Sequence, residues 1–138
     1  MRIQSLCKRM GDYMCLAACY SWIANRTLFG ESGEMIERKI LQDILEAYHK
    51  GILDDEITVL DGASFLELCN PRNIYKVEKK TITTIDDIKE ATPVRFDRNG
   101  YGHWVVVENG KVVFDSLDDS KCVKFGVPTK ARLIRVEN

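Results

Sequence analysis

The chain has 138 residues, 45% apolar and 30% charged, which supports one packed core and excludes general disorder. Twenty Lys plus Arg stand against 21 Asp plus Glu, a net charge of −1, so no global basic excess is present to hold a nucleic-acid backbone. The longest apolar run, Met14 to Ala24, is too short to span a bilayer.

The opening Met-Arg-Ile-Gln-Ser-Leu-Cys-Lys-Arg has neither an apolar core nor a secretory cleavage pattern. The five cysteines (Cys7, Cys15, Cys19, Cys69 and Cys122) are odd in number and lack paired zinc-ribbon spacing. A cytoplasmic protein with reduced thiols is expected. Met14 to Asn25 is almost all apolar or small, and a helix greasy on nearly every face belongs at the centre of a fold. Asp12 is a candidate N-cap for it, because its carboxylate can accept from first-turn amides. That numbering puts Cys15 at the third helical position.

Ser32 to Lys50 reads as an amphipathic helix with a buried stripe of Met35, Ile36, Ile40, Ile44, Leu45 and Tyr48, stopped by Gly51. Ile57 to Leu60 is expected as a short strand or irregular turn, Ser64 to Cys69 as a short helix ending before Pro71, and Ile74 to Val77 as a strand. Thr84 to Glu90 reads as a short capped helix. Strands follow at Val94 to Phe96, His103 to Val107 and Val112 to Asp115, with turn chemistry at Asp97-Arg98-Asn99-Gly100 and Asn109-Gly110. Val123 to Phe125 and Arg132 to Val136 are candidates for two more. The expectation is a single α+β domain over residues 1–138, an N-terminal central helix packed on a C-terminal antiparallel sheet. Charge is uneven: Glu31 to Glu67 is acidic and Lys121 to Arg135 is basic. That pattern fits either opposite solvated faces or a basic surface near the sheet that meets an acidic partner.

A cysteine nucleophile needs a thiolate, a base and donors for an oxyanion. The head of a helix favours negative charge and lowers a thiol pKa, and Cys15 is placed there. His103 opens a valine-rich strand and follows Gly102, whose missing side chain permits a close approach. Asp115 ends the next strand and is placed to orient the imidazole. Alone, Cys15 reads as a buried core thiol; joined to Asp12, His103 and Asp115 it reads as a nucleophile. Cys19 reads as packing, and Cys7, Cys69 and Cys122 as structural or incidental. His49 sits near the end of an acidic helix, where a positive charge suits the dipole. Asp118-Asp119 reads as a solvated turn, and Trp22 and Trp104 as core, with Trp104 also a candidate wall of a substrate cleft.

The segments Gly11-Asp12-Tyr13-Met14-Cys15-Leu16-Ala17-Ala18-Cys19, Pro93-Val94-Arg95-Phe96, Gly102-His103-Trp104-Val105-Val106-Val107 and Val113-Phe114-Asp115-Ser116 resemble, in type and order, a papain-like cysteine peptidase. The closest pattern is the bacteriocin-processing, double-glycine peptidase-like branch. The resemblance implies a papain-like fold and thioester chemistry on a peptide, isopeptide or amide bond. In it Cys15 is nucleophile, His103 base and Asp115 orienter, with no metal or organic cofactor and a peptide or protein as substrate. Arg9 stands where that family usually has an oxyanion Gln; Gln4, Asp12, Gly102 and Trp104 are the remaining oxyanion or cleft candidates. Asp12-Tyr13-Met14-Cys15-Leu16 and His103-Trp104 are also similar to ovarian-tumour-type deubiquitinases. The alternatives are a catalytically retired papain-like module that binds or inhibits a protein, and a plain interaction domain whose Cys and His never meet.

The His103–Asp115 pairing makes a register demand. With a two-residue turn at Asn109-Gly110, Glu108 pairs with Lys111 and Asp115 falls on the face of Trp104. A three-residue loop with a bulge, or a bulge elsewhere, brings Asp115 to His103. A tight hairpin with no bulge favours Ser116 or Asp118 as the partner instead.

Overall fold

The computed structural model describes residues 14–54, 58–117 and 120–137. Among the described residues three helices come first: α1 (Cys15–Phe29), α2 (Glu34–His49) and α3 (Gly62–Cys69). Strands β1 (Ile74–Thr81), β2 (Thr92–Arg98), β3 (Tyr101–Glu108) and β4 (Lys111–Phe114) follow, then the short helix α4 (Lys121–Phe125) and β5 (Val127–Glu137). The expected α+β order, helices and then an antiparallel sheet, is therefore present. The five strands lie in the order β1-β5-β2-β3-β4, every neighbouring pair antiparallel. No described helix is long and apolar enough to cross a membrane.

Helix α1 is buried along most of its length and contacts α2, α3 and β3. It opens at Cys15 with Met14 at the cap position and no side-chain cap. Cys15 is thus the first helical residue rather than the third, and the expected Asp12 cap lies outside the described residues. The Ala18 amide donates to the Met14 carbonyl at 2.8 Å, closing the first turn.

Helix α2 corrects the predicted stripe. Ile36, Ile40, Asp43, Ile44 and Ala47 are buried, whereas Met35, Leu45 and Tyr48 are exposed. The buried positions step by three and four residues along one face; Met35, Leu45 and Tyr48 each sit one position off it. Asp43 is tolerated inside because its carboxylate accepts from Ser21 Oγ at 2.8 Å, Asn25 Nδ2 at 2.8 Å and Lys39 Nζ at 2.5 Å. This network ties α2 to the rear half of α1.

Two further expectations fail. Residues 84–90 contain turns, not a helix: the Asp86 amide bonds to Thr84 Oγ1, and Ile88 N–H closes a single turn on Ile85. The carbonyls of Ile88 and Lys89 accept instead from Gly110 and Asn109 at 2.9 and 3.0 Å. The spacing of Ile82, Ile85 and Ile88 that mimics a helix serves to cover the outer sheet face. Likewise Val123 to Phe125 is helical rather than extended, with Ser120 O accepting from Lys124 N–H and Cys122 O from Gly126 N–H. At the predicted strand or turn near Leu60, Val59 makes one antiparallel bridge to Leu53.

The core has two parts. One lies between the helices and the sheet and includes Met14, Cys15, Cys19, Trp22, Trp104, Val106 and Phe114. The other, built on Val94, Phe96, Val105, Val107 and Ala131, is covered by the 82–88 segment and residues of α4. Alternate residues of β3 feed the two clusters, as the two-residue period of a strand requires.

Candidate active site

Four residues on one stripe of α1, spaced by four, three and four, meet the sheet in order. Cys15 lies close enough to His103, and Cys19 to Asp115, for each to bear on the other's charge. Trp22 stacks on Phe114 with ring centroids 5.2 Å apart. Arg26 forms a two-pronged pair with Glu108 at 3.0 and 2.5 Å. Helix and strand run side by side, so the stripe fixes both the rotation and the axial position of α1. The head of the helix is thereby set against the start of β3.

The β3–β4 connection is a tight turn. Asn109 and Gly110 both have positive φ, 52° and 72°, and Glu108 pairs with Lys111, the geometry of a two-residue hairpin matched to strand twist. The three-residue loop is absent. A bulge occurs further along: Val107 faces Val112 but Val106 faces Phe114, leaving Val113 as the extra residue. Phe114 therefore takes the face of Val106, and Asp115 follows on the parity of Val105 and His103.

The result is a bond of 2.6 Å between His103 Nε2 and Asp115 Oδ1. The same oxygen accepts the Leu117 amide at 2.9 Å, a local turn that holds the carboxylate still. An ionised carboxylate only accepts, so the proton on this bond sits on Nε2 and Nδ1 is the nitrogen left for Cys15. Burial works against charge on His103. Hydrogen bonds with Asp115 and Cys15, and the charges of both, outweigh it and carry the imidazole pKa up to about 9. Cys15 is 3% exposed and His103 4%.

The other predicted residues divide. Burial, with the neighbouring Cys15 and Asp115 charges, pushes the Cys19 thiol well up, so Cys19 is packing. The Cys69 thiol, buried beside the Asp43 network, is likewise pushed up. Cys122 lies on α4, its sulfur 3.7 Å from the Tyr101 carbonyl. His49 is at the end of α2 against Tyr48. The space beside Gly102 is taken by a side chain: a Cβ there would lie 2.1 Å from Arg95 Nε, and it is this side chain that the glycine admits. Trp104 is buried under the Arg132 guanidinium, 4.7 Å from its ring centre. Gln4, Cys7, Arg9, Asp12, Asp118 and Asp119 lie outside the described residues. A groove of about 590 Å³ lined by Arg26, Asn70, Tyr75, Lys89 and Glu108 sits at the far end of α1 from Cys15.

Sequence reasoning missed the buried Ser21–Asn25–Asp43 cluster and gave Arg132 no individual role. The only trace of the first is a pair of polar residues, four apart, in an otherwise apolar helix. No family model matches this chain, and no curated protein or solved structure matches it either.

Proposed function

We propose that this chain is a papain-like cysteine hydrolase acting on a peptide, isopeptide or amide bond, with Cys15 as nucleophile, His103 as proton carrier and Asp115 as its orienter. One observation carries the reading. The imidazole Nε2 is fixed by Asp115 at 2.6 Å, and Cys15 lies close enough to act on its protonation. A ring protonated at neutral pH is the partner that a thiolate–imidazolium mechanism requires.

In the reaction the Cys15 sulfur attacks the substrate carbonyl carbon and forms a C–S bond. The Nδ1 proton of His103 passes to the leaving nitrogen as the C–N bond breaks, giving an amine and a thioester. Water then attacks the thioester, its proton returning to Nδ1, and the sulfur leaves as thiolate. First-turn amides have no acceptor within their own helix and offer donors to the tetrahedral oxygen. The same groups serve deamidation or acyl transfer to another acceptor.

The deep burial of Cys15 and His103 favours a second reading, a retired papain-like shell that binds a protein and does not cleave it. The test is alkylation followed by turnover. Iodoacetamide should modify Cys15 before any other cysteine, and His103→Ala should slow that reaction by about tenfold or more. A panel of peptide and ubiquitin-type substrates should be cleaved by the wild type and not by Cys15→Ala. Fast alkylation without any turnover selects the binding module. Alkylation of Cys15 no faster than that of a free thiol, and indifferent to His103, sinks both readings.

A further inference from the structure

Beside His103 in sequence, Trp104 is buried in the same cluster as Met14 and Cys15. The guanidinium of Arg132 lies on its ring at 4.7 Å. A guanidinium over an aromatic face is attracted by the ring and still carries the planar N–H fork that matches a carboxylate. Three other arginines have carboxylate partners: Arg26 with Glu108, Arg95 with Asp97 at 3.0 Å, and, on the exposed surface, Arg135 with Glu78 at 3.8 Å. Among the described residues Arg132 has no carboxylate within ion-pair distance. It is half-buried, and its charge reaches Tyr20, which stands five residues after Cys15 on α1. A half-buried cation on the helix side of the sheet, with no carboxylate partner among the described residues, is suited to receive one from a ligand.

We propose that Arg132, laid on Trp104, receives a carboxylate of the substrate, so that the site prefers peptides with Glu or Asp beside the cleaved bond. This deepens the hydrolase reading and rests on it. Exposed Lys130, two residues away on β5, adds charge without the aromatic support. The basic run of the C-terminal segment thereby acquires a specific role at one residue.

The test uses two peptidyl chloromethyl ketones that differ only in Glu or Gln at the residue bearing the electrophile, with the rate of Cys15 labelling as readout. The wild type should label about tenfold faster with the Glu probe, the ratio that about 1.4 kcal/mol gives. Arg132→Gln should bring the Glu:Gln ratio close to one, and Arg132→Lys should restore part of it. Lys130→Gln should leave most of the ratio in place. Because the ratio is internal to each protein, a general loss of labelling does not move it. A wild-type ratio near one overturns the subsite and leaves the nucleophile standing, as does a ratio unaffected by Arg132→Gln. A ratio that collapses equally in Lys130→Gln reassigns it to a general field and overturns the role of Arg132. No labelling of Cys15 by either probe overturns the hydrolase reading and the subsite together.

Discussion

Asp115 Oδ1 stands 2.6 Å from His103 Nε2, although Asp115 is the residue just beyond the end of β4. Asp115→Asn removes the charge and one acceptor, and the His103 pKa should fall from about 9 by more than one unit in an NMR titration. Stability should follow. The folded pKa is raised above the ordinary 6.5, so the contribution is fully present below that pH and is lost as pH rises through about 9, an effect of up to ~3 kcal/mol. Urea unfolding of the wild type at about pH 6 and about pH 10 should show the loss, and Asp115→Asn should show much less of it. A variant that keeps the full pH dependence would place its origin elsewhere.

The bulge offers a sharper test of how Asp115 arrives. Deleting Val113 alone removes the extra residue while Phe114 still faces Val106, so the His103 pKa should stay close to its native value. Deleting Val112 and Val113 together moves Phe114 opposite Val107 and throws Asp115 onto the parity of Trp104. The imidazole pKa should then drop, and Phe114 should leave its stack on Trp22. Equal titration curves for the two deletions would contradict the register account.

The network around Asp43 sets the rotation of α1 from behind. Asp43→Ala leaves buried Ser21 and Asn25 each short of a partner and Lys39 without its carboxylate. The expected cost is about 3 kcal/mol, read as a lower urea midpoint with an unchanged slope. A loss below about 1 kcal/mol would mean that these groups find other partners. If α1 also turns on its axis, Cys15 moves from His103, and alkylation should slow in parallel.

The sequence alone determined the helices-then-sheet order and the tight turns, and it named the three residues proposed for the site. These are local properties: a residue either suits a left-handed turn or it does not, and an apolar run buries itself wherever it folds. Asn109 and Gly110 take the predicted turn because both tolerate positive φ. Tertiary contacts decided what local signals cannot. Ile82, Ile85 and Ile88 have helical spacing but are drawn out over the outer sheet face, where their backbone serves the β3–β4 turn. Asp43 goes inside because Ser21 and Asn25 on another helix bond its carboxylate, and Leu45, two positions on, falls off the buried face and stays exposed. The meeting of Asp115 with His103 depends on one unpaired residue in β4. A strand's side-chain period is two, so a single residue decides which face a carboxylate takes, and only the assembled sheet selects the register.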